Sequence, residues 1–402
     1  MSGPFRDDAL DAMVRELNRS ADGEAPPGEP GQGTGGEPWP AAEVDAGDPL
    51  EKLLGEAVRR EATDILLLPG TPPVLRIGGR LLAADAPPVD EEDIRGMLER
   101  RLSSVARRSL GEQGAADFSL RLAPASGAGS RRFRVNLHRQ RGRLAAAIRA
   151  LPRDVPTLAS LNLPAALADL VRPLRGLVLL CGPAGAGKTS TLAALLGEIN
   201  RTRTCHVITI EDPIEYEHPN LRSVVEQVEV GRDTPGFAEA LRSALRQNPD
   251  VILVGEMRDL DSIAIALTAA ETGHLVLSTL HTADAAQAVH RIIDVFPAAQ
   301  QGQIRQQLAL SVHAIVCQQL VPRTDGRGRV PAVEVLIATS AVRHTIRKDR
   351  VESLHNEITL GRRMGMVTME ESLARLVRSG AVTLEEAQLR APHPEELDSL
   401  LG

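Results

Sequence analysis

The sequence predicts an α/β architecture centred on a parallel sheet over residues 176–340, with a smaller α+β domain before it and a helical region after it. Three observations support this. A short continuous apolar run at 176–180 suits a strand buried on both faces, and three further strand-like segments follow at 207–210, 251–255 and 274–279. Stretches with apolar residues at helical spacing lie between them, as at 190–199. Between the first strand and the first helix, Gly182, Pro183, Ala184, Gly185, Ala186, Gly187, Lys188 and Thr189 satisfy the pattern G-x-x-x-x-G-K-[ST], in the order strand, glycine loop, helix.

The elements follow in chain order. Residues 1–49 carry 11 acidic and 3 basic side chains and, from residue 20, little large apolar matter beyond Trp39. Such a segment cannot bury enough surface to offset chain entropy, so a disordered acidic, Gly/Pro-rich tail is expected. Residues 50–150 read as the α+β domain: helices at 50–60 and 91–102, and strands at 65–68, 74–77, 118–122, 132–139 and 142–150. A linker and helix occupy 151–175, with Pro152 and Pro156 in a hinge-like stretch. After residue 340, helices are expected at 341–350, 353–363, 369–379 and 384–390.

Composition excludes several classes. The net charge of −7 resides in the tail, which leaves the folded part nearly neutral, and aromatic residues are only 2% of the chain. With no Lys/Arg run interleaved with aromatics, nucleic acid is not an expected partner. No apolar run approaches a membrane span, and no signal sequence is evident. Cys181, Cys205 and Cys317 show no paired spacing, which suits a reducing, cytoplasmic setting and excludes a four-cysteine zinc module.

The glycine loop grips a polyphosphate through backbone N–H groups and the positive end of the following helix. In this arrangement Lys188 reaches the β- and γ-phosphates, and Thr189, followed by Ser190, offers a hydroxyl to Mg²⁺. ATP with Mg²⁺ is therefore the expected ligand. Three further strands end in polar residues, and strand ends line the ligand crevice of an open parallel sheet. These are Glu211 and Asp212, then Glu256, then His281. Glu256 is the candidate for polarising the attacking water. Because Gly255 precedes it, no side chain there can hold the metal, and Glu211 or Asp212 could do so through water. His281 is placed to sense the γ-phosphate or a neighbouring subunit.

With these residues assembled, the chain resembles the secretion-superfamily ATPases, and among them the PilT-type retraction motors of the type IV pilus. Residues 182–189 resemble the family's Walker A, 208–217 its acidic Asp box, 251–259 its Walker B region and 273–284 its His box. Residues 341–347 are similar to the C-terminal signature of retraction ATPases, and assembly-type relatives carry cysteine pairs that are missing here. The resemblance implies a RecA-like P-loop ATPase domain after a PAS-like α+β domain, joined in a homohexameric ring with ATP held between the two domains. Arg134 and Arg139 would act as arginine fingers, with Arg132, Arg141 and Arg149 as competitors. It also implies an inner-membrane pilus platform protein as partner, pilin as the indirect load, and a cytoplasmic protein peripheral to the inner membrane. A motor for pilus assembly or type II secretion, and a weakly hydrolysing nucleotide-binding regulator, are the alternatives.

Overall fold

The computed structural model describes residues 42–44, 48–122 and 131–402. Most of the expected tail at 1–49 lies outside the described residues. Among the described residues there, Ala42–Val44 forms a strand, and Asp48 caps the first helix through Leu50 N at 2.9 Å. The chain divides into two compact units, one formed by the described residues up to Asp154 with Glu215–Glu217, the other by Val155–Ile214 with His218–Gly402.

The N-terminal unit is built on a seven-stranded sheet. Its strands are β1 (Ala42–Val44), β2 (Asp64–Leu67), β3 (Val74–Ile77), β4 (Arg80–Ala83), β5 (Ala115–Leu122), β6 (Arg131–Gln140) and β7 (Arg143–Ala150), in the order β1-β5-β6-β7-β2-β3-β4. Only β1 pairs in parallel, with β5. Along β6, Phe133, Val135 and Leu137 are buried together with Ile65, Leu67 and Ile148 and with Leu50, Leu54, Ile94 and Leu98 from the helices Pro49–Arg59 and Glu91–Leu98. The intervening Arg132, Arg134 and Asn136 stand on the other face, as the period of two requires. The helix expected at 91–102 ends at Leu98 and tightens into a 3₁₀ turn, Glu99–Arg101. The helix Ser104–Gln113 and strand β4 were not foreseen, since the helix buries only Ala106 and Leu110 and β4 is exposed throughout.

The second unit carries a seven-stranded sheet in the order β10-β9-β11-β12-β8-β13-β14. Here β8 is Gly176–Cys181, β9 His206–Glu211, β10 Val224–Glu229, β11 Val251–Val254, β12 Leu275–Leu280, β13 Val312–Pro322 and β14 Arg329–Ile337. All pair in parallel except β14, which closes one edge as an antiparallel hairpin with β13. Strand β8 is buried at every position. Its Leu177, Leu179 and Cys181 enter a core with the helices Leu260–Glu271, Ala285–Asp294 and Ala298–Ser311, whereas Val178 and Leu180 enter a second core with the helix Lys188–Thr202. A doubly covered parallel strand reads as an unbroken apolar run for this reason.

Residues 341–402 lie in this same unit. Val342 and Ile346 of the helix Ser340–Arg347 join the sheet core, while Met369, Leu373 and Leu397 pack with Val321, Val330 and Ala332 of the β13–β14 hairpin. The helix expected between 156 and 174 is the 3₁₀ segment Ala165–Val171.

Candidate active site

The glycine loop leaves β8 and enters the first turn of helix Lys188–Thr202. Gly182, Gly185 and Gly187 adopt φ values of 144°, 75° and 89°, a region that side chains rarely enter. Space matters as well as torsion. A Cβ on Gly182 would stand 2.3 Å from the carbonyl oxygen of Gln318, and one on Gly187 would stand 2.8 Å from Gln318 Nε2. Gln318, 2% exposed on β13, donates from Nε2 to the Ala186 carbonyl at 2.7 Å and accepts at Oε1 from Thr191 Oγ1 at 2.8 Å. It therefore braces the loop from beneath. Pro183, Ala184 and Gly185 form the exposed rim, while Thr189 and Ser190 lie half-buried in the first helical turn.

Lys188 is buried, and its Nζ donates to the carbonyls of Gly182 at 2.7 Å and Pro183 at 3.0 Å. Burial pushes its ammonium below the ordinary lysine range, opposed in part by the Glu256 carboxylate. Nζ also lies 3.5 Å from Nδ1 of His281, just beyond β12. Burial, and then the neighbouring Lys188 charge, hold His281 below the usual histidine value, which favours a neutral ring.

Glu256 follows β11, where Gly255 forms a close joint between strands. Its N–H donates to the Ile210 carbonyl at 2.8 Å, and its carbonyl accepts from Thr279 Oγ1 at 2.7 Å. Glu256 Oε2 lies 2.7 Å from Arg258 Nε and 3.7 Å from His281 Nε2. The structure thus brings Lys188, His281, Glu256 and Arg258 into one continuous line at the strand ends. Glu211, at the end of β9, is held at Oε1 by Thr209 Oγ1 at 2.7 Å and Gln227 Nε2 at 3.1 Å. Asp212 is exposed.

Arg134 and Arg139 both lie on β6 of the N-terminal unit, but their positions differ by an odd number, so they project from opposite faces. Arg134 pairs with Asp117 at 3.4 Å, and Arg139 is exposed. Arg132 is buried, donating to the Glu215 carbonyl at 2.7 Å and joining Arg121 around Glu217. Burial raises Glu215 above the usual carboxylate range, and Arg134, Arg149 and Arg132 pull it back down.

Gln318 and Arg258 were missed from sequence. Arg258 could have been noticed two residues after Glu256, but Gln318 gives no local signal because its partners are 132 and 127 positions away.

A parallel sheet in which β12 separates the loop strand β8 from the glutamate strand β11 defines a P-loop ATPase fold of the branch that places a glutamate beside the phosphate loop. The chain belongs to the type II/IV secretion system protein family, whose model matches residues 149–396. It is 41% identical over 346 residues to the type IV pilus retractation ATPase PilT of Pseudomonas aeruginosa, covering 86% of this chain and 99% of that protein. It is also 41% identical over 325 residues to a twitching motility protein of Neisseria gonorrhoeae, covering 81% of this chain and 86% of that one. Its fold matches the crystal structure of the pilus retraction motor PilT with bound ADP at a TM-score of 0.79 and 41% identity, over 87% of this chain and 99% of that one. No helix among the described residues is long and apolar enough to cross a membrane.

Proposed function

We propose that this chain is an ATP-hydrolysing motor that drives retraction of a type IV pilus, working as a homohexamer in the cytoplasm against an inner-membrane platform protein. In this reading residues 50–150 form the PAS-like domain and 176–340 the RecA-like ATPase domain. The observation that carries it is the line Lys188–His281–Glu256 at the mouth of the glycine loop, with 3.5 and 3.7 Å between successive side chains.

The loop suits a nucleotide polyphosphate: a buried cation stands at its centre, and its backbone is fixed where any Cβ at Gly182 or Gly187 would collide. Lys188 would grip the β- and γ-phosphates. Glu256 would accept a proton from the water that attacks the γ-phosphorus as the bond to the β–γ bridging oxygen breaks, giving ADP and phosphate. His281, next to both, would register the γ-phosphate. Thr189, with Glu211 through water, would hold Mg²⁺, which when bound neutralises phosphate charge. Arg134 and Arg139 remain the proposed arginine fingers. Their opposite faces mean that at most one can serve a given nucleotide directly if β6 keeps its shape.

The test is steady-state turnover with a nucleotide-binding titration. Glu256→Gln should lower kcat by about 10²–10⁴-fold while nucleotide affinity stays within a few-fold, since the general base acts on the water and not on binding. Wild-type protein that binds ATP without hydrolysing it would refute the reading in favour of a regulator. Deletion of the gene should leave more surface pili and no twitching; loss of surface pili would instead indicate an assembly motor.

A further inference from the structure

Three elements of the C-terminal region converge on one cluster of side chains. His355 lies on the helix Leu354–Leu360, Glu370 in the first turn of the helix Met369–Arg378, and Glu396 in the first turn of the helix Pro394–Leu401. One potential ligand atom from each lies within 4.8 Å of the other two. His355 Nε2 and Glu396 Oε2 are 2.7 Å apart.

Glu370 is the informative member. It is 1% exposed, and its Oε1 accepts from the backbone N–H of His393 at 3.0 Å. Its Oε2 is buried with no hydrogen-bond partner. A carboxylate oxygen left without a partner in the interior is costly, and retained examples have a reason, such as an ion. Here the orphaned oxygen belongs to the residue that shares a cluster with a histidine nitrogen and a second carboxylate. A cavity of about 150 Å³ beside them is lined by His355, His393, Glu334 and Asp284, which leaves room for water to complete a coordination shell.

We propose that His355, Glu370 and Glu396 form a Zn²⁺ site that fastens the last helix of the chain to the helices Leu354–Leu360 and Met369–Arg378. One imidazole and two carboxylates make a borderline-to-hard donor set that suits Zn²⁺ and not a soft thiophilic ion. At Zn–ligand distances of about 2.0–2.2 Å, ligand atoms sit roughly 3.5 Å apart, so the His355–Glu396 pair at 2.7 Å must open by a little under an ångström while Glu370 stays within the 4.8 Å reach of both. The bland alternative is a His–Glu ion pair beside a carboxylate satisfied by a cavity water.

The test uses full-length, chelator-treated, nucleotide-free protein titrated with Zn²⁺ alone by calorimetry, and with Co²⁺ by visible absorption as a spectroscopic stand-in. The expected result is one equivalent per chain, a rise in Tm of several degrees on adding Zn²⁺, and Co²⁺ bands from inner-sphere nitrogen and oxygen donors. Glu370→Gln, which keeps the side chain's shape, should weaken Zn²⁺ at least tenfold and abolish both the Tm rise and the Co²⁺ bands. Glu396→Gln, near the chain end, and His355→Asn should do the same, so the test survives if the Glu370 variant folds poorly. Absence of a bound equivalent, or equal Zn²⁺ affinity in wild type and in the folded variants, overturns the proposal and leaves the ion pair with its water.

Discussion

Gln318→Leu removes the brace beneath the glycine loop while nearly conserving volume. Two hydrogen bonds disappear, at 2.7 Å to the Ala186 carbonyl and at 2.8 Å from Thr191 Oγ1. Thr191 keeps its bond to the Gly187 carbonyl at 3.2 Å, so its share of the loss is about 0.5–1 kcal/mol. The Ala186 carbonyl loses its side-chain donor against a new apolar surface, at a cost of about 1–3 kcal/mol. The total is about 1.5–4 kcal/mol. In a unit of this size each kcal/mol moves Tm by about 2–4 °C, so thermal unfolding should begin about 3–16 °C lower. If roughly 1.4 kcal/mol of that loss is a penalty for restoring the loop's bound shape, nucleotide affinity falls about tenfold in a fluorescent-nucleotide titration. Gln319→Leu, at the neighbouring half-buried position, serves as the control. A Gln318→Leu protein with Tm within 2 °C and affinity within about twofold of wild type would refute the view that this side chain holds the loop.

Gly182→Ala should weaken nucleotide binding more than tenfold and lower Tm, since its Cβ would meet a backbone oxygen at 2.3 Å at φ 144°; an unchanged binding isotherm contradicts this. Glu334, 4% exposed, is raised to about 7 by burial, with Asp284 and Glu370 adding to the effect. Its folded value lies above the unfolded one, so stability is present in acid and is lost as pH rises from about 4.5 through about 7, by up to roughly 3 kcal/mol. Glu334→Gln should therefore raise Tm relative to metal-free wild type at pH 8 and much less at pH 5, and parallel pH profiles would contradict it. His218 is held down to about 4 by burial, with Nδ1 unpartnered, so its contribution is present above about 6.5 and is lost as pH falls towards 4. Denaturant midpoints between pH 7 and 5 should fall less steeply in His218→Gln than in wild type.

The parts of the fold that could be read from sequence were those governed by periodicity. Strands β8, β9, β11 and β12 are buried on both sides and appear as apolar runs, and the loop pattern located Lys188 between two of these elements. Strand β10 escaped notice because it is an edge strand, with Glu226 and Gln227 interrupting its valines. The site was legible to the extent that strand ends delivered Glu211, Glu256 and His281. Its supports were not: Gln318 and Thr279 act through backbone groups of distant segments, and no local pattern encodes such pairings. Glu334 was hidden for a related reason, since a glutamate within a strand ordinarily marks a solvated face, whereas β14 here is covered by the C-terminal helices.

Strand β8 divides its side chains between two cores and then becomes the phosphate loop without an intervening residue to absorb displacement. A void opened at Leu179 on one side or at Leu180 on the other reaches the same few backbone atoms. Inherited variation in either layer is thus screened by one readout, the grip on the nucleotide, and the two layers are expected to drift in concert rather than independently.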